Sequence, residues 1–274
     1  MPRWSKIIVL WAAMLTLTLS CASPTNSFYD RPLPEILPEQ AADFTAAVDD
    51  ALGTLETSNL SLPENLARNS AVKVTRPFEG GHGSGTYVKM HGRFVVITAA
   101  HVVEGYTTMV VAGRDDERLM GRVIYTNEAS DLAIIMVPAM QTRIALPYRP
   151  KKTDRNLIGA SVSYTGFPGR HDLLTIRGHV ASLERDMIVT NMFGWFGASG
   201  SGVVDQHGRF LGVVSGIDVG NWMVPIPLDS IVWVAPIWEL DEEIVEVRVK
   251  TEPPLEVFKS FPGARAPRRG TSRD

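Results

Sequence analysis

The sequence predicts an all-β domain, and three observations carry that expectation. From residue 70 onward the chain falls into short runs rich in Val, Ile, Thr, Tyr and Phe, residues that pack well on a pleated surface. Gly, Asn, Asp and Pro separate the runs, as turns require. The runs also follow one another too closely to leave room for the helices of βαβ units, so a sandwich or a barrel is expected.

Taken in order, residues 1–23 read as an export signal. Arg3 and Lys6 give a positive start, "IIVLWAAMLTLTL" (7–19) is apolar, and the small residues of "SCAS" follow. The apolar run has 13 residues, short for a hydrocarbon layer of about 30 Å, which favours a signal peptide over a spanning helix. Cys21 sits where bacterial lipoproteins carry their acylated cysteine, and "TLSC" resembles a lipobox; plain cleavage after Ala22 is the other reading. Both readings export the protein, as a periplasmic or cell-envelope lipoprotein or in secreted form. Residues 24–66 read as a Pro-rich linker and an amphipathic helix at 39–57, with Phe44, Val48, Leu52 and Leu55 at helical spacing.

The strand runs follow: "AVKVT", "GTYVKM", "GRFVVITAA", "TTMVVAG", "LMGRVIYT" and "LAIIMV", then "SVSYTGF", "LLTIRGHVASL", "MIVT", "GVVDQHGRFLGVVSG" and "WMVPIP". "PLDSIVWVAPIWEL" reads as a closing helix and "EEIVEVRVK" as a charged strand-like piece. Roughly the last twenty residues, rich in Pro, Gly and Arg, read as disordered.

Composition narrows the chemistry. At 45% hydrophobic and 21% charged residues, with a net charge of −3, nothing in the bulk points to nucleic acid. Arg265, Arg268, Arg269 and Arg273 crowd the end, where a short Pro/Gly-rich tail is expected to be solvated. With one cysteine there is no intramolecular disulfide and no CxxC metal site, and there is no HExxH, so no metal or cofactor is implied.

Three residues stand out together. His101 follows a β run that ends in small residues, "VVITAAHVVEG". Asp131 lies just before an apolar strand in "NEASDLAIIMV", and two serines sit among glycines in "GWFGASGSGVV" (194–204). Each alone has a plain structural reading, a satisfied histidine, a turn-capping aspartate and a flexible loop. The order His, Asp, Ser in an all-β chain is that of chymotrypsin-type proteases and differs from those of α/β-hydrolases and subtilisins. A hydrolase elbow G-x-S-x-G also fails, whether centred on Ser199 or on Ser201.

The chain thus resembles a bacterial trypsin-like serine protease of the chymotrypsin fold, close to the HtrA-type protease domain without a PDZ domain. The resemblance rests on "GHGSGTYV" (81–88), "TAAHVV" (98–103), "SDLAII" (130–135), "IGASVSYTGFPG" (158–169), "GASGSGVV" (197–204) and "GVVSGI…MVPIPLDSI", and spans about 70–235. It implies two packed six-stranded antiparallel β-barrels with an N-terminal helix and a short C-terminal tail. The first barrel (67–150) would carry His101 and Asp131, the second (151–240) Ser199, and 241–274 would form a charged tail.

The resemblance also implies roles. His101 accepts the proton of the attacking serine, Asp131 orients the imidazole, and an acyl-enzyme forms on polypeptide substrates. Matching G-x-S-G-[GS] places the nucleophile at Ser199, with the amides of Gly197 and Ser199 as the oxyanion hole. Activity is expected to rise as a histidine gives up its proton. Phe193 would lie at the base of the S1 pocket, and Ser215, Gly216 and Ile217 would pair with substrate, which suggests a small or medium apolar P1 residue. Gly202 stands where the family usually has proline, and glycine is expected to loosen the loop. Membrane contact is expected only through a lipid anchor at Cys21, nucleic acid is not expected, and the oligomeric state is open. The competing class is a catalytically silent binding or scaffold module of the cell envelope.

Overall fold

The structure, a computed structural model, describes residues 59–77, 81–148, 155–221, 225–253 and 255. The expected export signal, Cys21, the 39–57 helix and the arginines of the tail lie outside the described residues.

Thirteen strands, three α-helices and two short 3₁₀ turns make up the described fold. The first barrel takes β1 (Ala71–Thr75), β2 (His82–Met90), β3 (Arg93–Thr98), β4 (Thr108–Ala112), β5 (Arg118–Asn127) and β6 (Leu132–Met136). Their order is β1-β4-β5-β6-β3-β2, and pairing of β1 with β2 closes the ring. A short β7 (Leu146–Pro147) runs parallel to β2 at its edge. The second barrel takes β8 (Ser161–Gly166), β9 (Leu174–Glu184), β10 (Met187–Thr190), β11 (Gly202–Asp205), β12 (Phe210–Asn221) and β13 (Pro225–Pro236), closed in the order β10-β13-β12-β11-β8-β9. The two closed six-stranded antiparallel barrels are those the resemblance implies. Closure pairs each barrel strand with two neighbours, and β7 takes the end of β2 that β1 does not reach.

Each barrel buries its own apolar face. Val72, Val95, Ile97, Met109, Ile134 and Ile135 fill the first, and Leu157, Tyr164, Ile188, Val203, Val214 and Val234 the second. The first core also takes Val213 and Ala235 from β12 and β13, so the two are not independent lobes.

Three elements differ from expectation. Helix α1 (Leu62–Ser70) was not read from the sequence; the Ser61 amide donates to Glu64 Oε2 at 2.7 Å, and Pro63 starts the first turn. The segment taken for a closing helix is instead β13 and a 3₁₀ turn at Ile237–Glu239, because its β-branched residues complete the second barrel. The segment taken for a strand-like piece is helix α3 (Glu242–Thr251). Its valines alternate as in a strand, but Val245 and Val249, one helical turn apart, are the pair that is buried, and Val247 is exposed. Asp241 caps α3 by accepting from the Ile244 amide at 3.1 Å, with acids in the first turn and Arg248 and Lys250 in the last.

Candidate active site

His101 lies on α2 (Ala100–Val103), a single turn directly after β3, and its side chain is 46% exposed. Asp131 closes the turn before β6. Asn127 Oδ1 accepts from the amides of Ala129 and Ser130 at 3.0 and 3.3 Å, and Asp131 itself takes a left-handed φ of 52° that Asp tolerates better than most residues. The Asp131 carbonyl accepts from the Ala100 amide at 3.2 Å, so this turn grips the start of α2.

That grip sets the side chains. His101 Nδ1 lies 3.0 Å from each Asp131 oxygen, and the His101 amide donates to Oδ1 at 3.1 Å. With Nδ1–H donated to the carboxylate, Nε2 is the acceptor of the ring. From the second barrel, Ser215 Oγ donates to Asp131 Oδ2 at 2.5 Å. Burial is the largest single influence on Asp131 and favours its neutral form. The hydrogen bonds from His101 and Ser215, with the attraction of the imidazole, together outweigh burial and hold the carboxyl below its usual range.

Ser199 sits in the loop between β10 and β11. Its hydroxyl faces the Ser215 carbonyl at 3.5 Å, and among the described residues no hydrogen bond joins it to His101. Ser201, the neighbouring hydroxyl, is fully buried, and its Oγ is without a partner. Gly197 has φ +91°, and a Cβ there would stand 2.5 Å from the Phe167 carbonyl oxygen. Only glycine fits such a turn without strain. Among the described residues, the amides of Gly197 and Ser199 donate to no protein acceptor.

Gly202 does not behave as a loosened exit. It is the buried first residue of β11, paired with Thr165 on one side and Val213 on the other. A Cβ there would lie 2.1 Å from Thr86 Oγ1 and 2.9 Å from Phe210. The absence of a side chain admits Thr86 rather than freeing the loop.

The remaining site residues divide. Ser215 occupies an irregularity of β12, where pairing with β13 jumps from Val214 to Gly216. The skipped residue leaves the ladder and its side chain is re-aimed, here onto Asp131. Ile217 and Val232 fill the space beside Gly194, where a Cβ would meet both at 2.7 Å. Gly216 is open on its side-chain face. Phe193 stacks on Trp195, ring centroids 6.5 Å apart, and lines a cavity of about 420 Å³ with Pro168, Gly169, Leu174 and Trp195. The sequence reading missed the carboxylate-binding role of the Ser215 hydroxyl, because the strand register that aims it is a long-range property.

Residues 83–213 match the family described as the trypsin-like peptidase domain. Two putative serine proteases of Synechocystis sp. are similar in sequence. HhoA is 30% identical over 142 residues, 52% of this chain and 32% of that protein, and HhoB is 30% identical over 145 residues, 53% and 31% respectively. The chain thus spans about a third of the length of these curated relatives. Among solved structures, the serine endoprotease of Yersinia pestis superposes with a TM-score of 0.55 at 20% identity, over 72% of this chain and 68% of that one. The HtrA-type protease AlgW with tripeptide gives 0.53 at 18%, over 64% and 58%. These two likenesses concern the fold.

Proposed function

Because residues 83–213 match the trypsin-like peptidase domain and the chain is similar to two putative serine proteases, we propose that the protein is a serine endopeptidase acting through His101, Asp131 and Ser199. The observation that carries this reading is the bridge at Ser215. Its hydroxyl holds Asp131, which holds His101, while its carbonyl faces the Ser199 hydroxyl, so one residue gathers all three.

In the reaction, Ser199 Oγ turns from the Ser215 carbonyl to His101 Nε2 and attacks the scissile carbonyl carbon of a polypeptide. Its proton passes to Nε2, and the new oxyanion receives the amides of Gly197 and Ser199. Collapse expels the amine, which takes the proton from Nε2 and leaves an acyl-enzyme; water repeats the sequence and frees Ser199. Ionised Asp131 stabilises the imidazolium formed in each half. The buried Ser201 hydroxyl has no route to a substrate in this arrangement. Ile217 and Val232, which narrow the space beside Gly194, support a small or medium apolar P1 residue, with Ser215 and Gly216 along the substrate backbone. Phe193 as the base of that pocket remains part of the proposal, and so do export and acylation at Cys21.

The second reading, a silent protease-like binding module, is favoured by one observation: the Ser199 hydroxyl rests on Ser215 rather than on His101. A fluorophosphonate probe separates the two. Labelling is expected in the wild type and in Ser201→Ala and is expected to vanish in Ser199→Ala. Labelling that survives Ser199→Ala but not Ser201→Ala would overturn the nucleophile, and no labelling of a folded wild type would favour the silent module.

A further inference from the structure

The "HGSG" run at the start of β2 has a serine between two glycines that the chemistry above does not use. Ser84 is fully buried and none of its polar groups is idle. Its amide donates to the Ser199 carbonyl at 2.7 Å. Its hydroxyl donates to the Gly197 carbonyl at 2.8 Å and accepts from the Phe167 amide at 2.9 Å. Its own carbonyl accepts from Thr98 Oγ1 at 2.7 Å.

From this geometry, and resting on the reading of Ser199 as nucleophile, we infer that Ser84 is the positioning residue of the oxyanion hole. The two carbonyls it holds flank the amide of Ser199: one belongs to the peptide joining Gly197 to Ala198, the other to the peptide after Ser199. Peptide units are planar, so with the units on both sides held, the 198–199 unit keeps only a rotation about its own Cα–Cα axis, which narrows the directions its N–H can take. The need arises from Gly197. A glycine at φ +91° is the residue about which a peptide turns most cheaply, and on the side of the Gly197 N–H that turn is held by the Gly169 amide, which donates to the Phe196 carbonyl at 2.6 Å. The Ser84 hydroxyl opposes that turning from the first barrel. Through Phe167 it also fixes the opposite wall, since the Phe167 carbonyl packs against Gly197 and accepts a hydrogen bond from His82 Nε2 at 2.8 Å. Donors held in place before reaction need no reorganisation in the transition state.

Removing the hydroxyl leaves the Gly197 carbonyl and the Phe167 amide unpartnered in the interior, and the 197–198 peptide is then held only by the bond of the Ala198 amide to the Trp195 carbonyl at 2.9 Å. In Ser84→Ala, kcat on a peptide substrate is expected to fall about 10- to 100-fold, below the loss from deleting an oxyanion donor outright, with KM within about threefold. Affinity for a peptide boronate, which forms a tetrahedral adduct on serine, should fall by the same factor. Ser70→Ala is the control: its buried hydroxyl donates to the Ala67 carbonyl at 3.0 Å in α1, so it should lower the melting temperature and leave kcat unchanged. Where Ser84→Ala does not fold, Ser84→Cys, a weaker donor of similar size, carries the test with the same expected split. A folded variant with wild-type kcat and boronate affinity, or with its loss confined to KM, overturns the inference alone. A folded wild type that no fluorophosphonate labels sinks the nucleophile reading and this inference with it.

Discussion

Ser215 Oγ, on the second barrel, donates to Asp131 Oδ2, on the first, across 2.5 Å. The bond crosses the junction between the barrels, so the same contact orients the carboxylate under His101 and fastens the two halves of the candidate site. Its donor is the residue that the β12 irregularity pushes out of the ladder.

Ser215→Ala is therefore expected to lower kcat/KM about tenfold or more and to destabilise the fold, since hydrogen bonds to charged groups contribute about 1.5–3 kcal/mol. The pH dependence has a definite sign. Asp131 titrates below its usual value in the folded protein, so its contribution is full above the ordinary carboxylate range and is lost as pH falls through the lowered value. The stability gap between wild type and Ser215→Ala should be widest at neutral pH and close in acid. Denaturant titrations at both pH values measure it, and a gap that widens in acid contradicts the account.

Glu64 offers a second acid-sensitive contact, away from the chemistry. Its carboxylate, nearly buried on α1, receives both Nε and Nη2 of Arg177 on β9. The Arg177 hydrogen bond is the main cause that lowers its pKa to about 2; burial opposes, and the Ser61 amide and hydroxyl add to the lowering. The attachment of α1 should hold above the ordinary glutamate range near 4.5 and weaken as pH falls towards 2. Glu64→Gln is expected to cost on the order of 1–2 kcal/mol at neutral pH, reduced by the solvent around exposed Arg177, and little at pH 2. Equal losses at both values would contradict this.

Gly202→Pro adds a ring where Thr86 and Phe210 already stand, and it removes an amide from a strand paired on both sides. A loss of about 1–3 kcal/mol from overpacking is expected. Thermal melting measures it, and a variant as stable as wild type with higher turnover would restore the idea of a loosened exit.

Ile217→Ala opens the space beside Gly194. Profiling with peptides that differ only at P1 should show a relative gain for Phe or Leu over Ala and Val. An unchanged P1 ranking would move the pocket elsewhere.

Most of the strands were legible because β-branched runs between turn residues report burial locally; "AVKVT" is β1 itself, and "GVVDQHGRFLGVVSG" spans β11, its turn and most of β12. What was missed was decided at long range or by local signals passed over. The Ser61–Glu64 spacing with Pro63 is a helix start that the sequence offered openly. In α3, alternating valines mimic a strand, and only the partner surface selects the pair at 245 and 249. His101, Asp131 and Ser199 could be named singly, and the structure joins the first two by hydrogen bonds and brings the third to Ser215. The roles of Ser84 and Ser215 depend on which strand ends face each other, information that no window of neighbouring residues holds.

The core shared between the barrels has a consequence for the order of assembly. Val213 and Ala235, with Ile237, Val245 and Val249 after them, complete a hydrophobic cluster built mostly by residues 72–140. During synthesis the first barrel lacks these last members of its core until α3 has emerged, after His101 and Asp131 have been made. Until then the chain would carry His101 and Asp131 without the completed core beside them. Under the proposed function, cleavage competence would arrive late, when α3 completes this cluster.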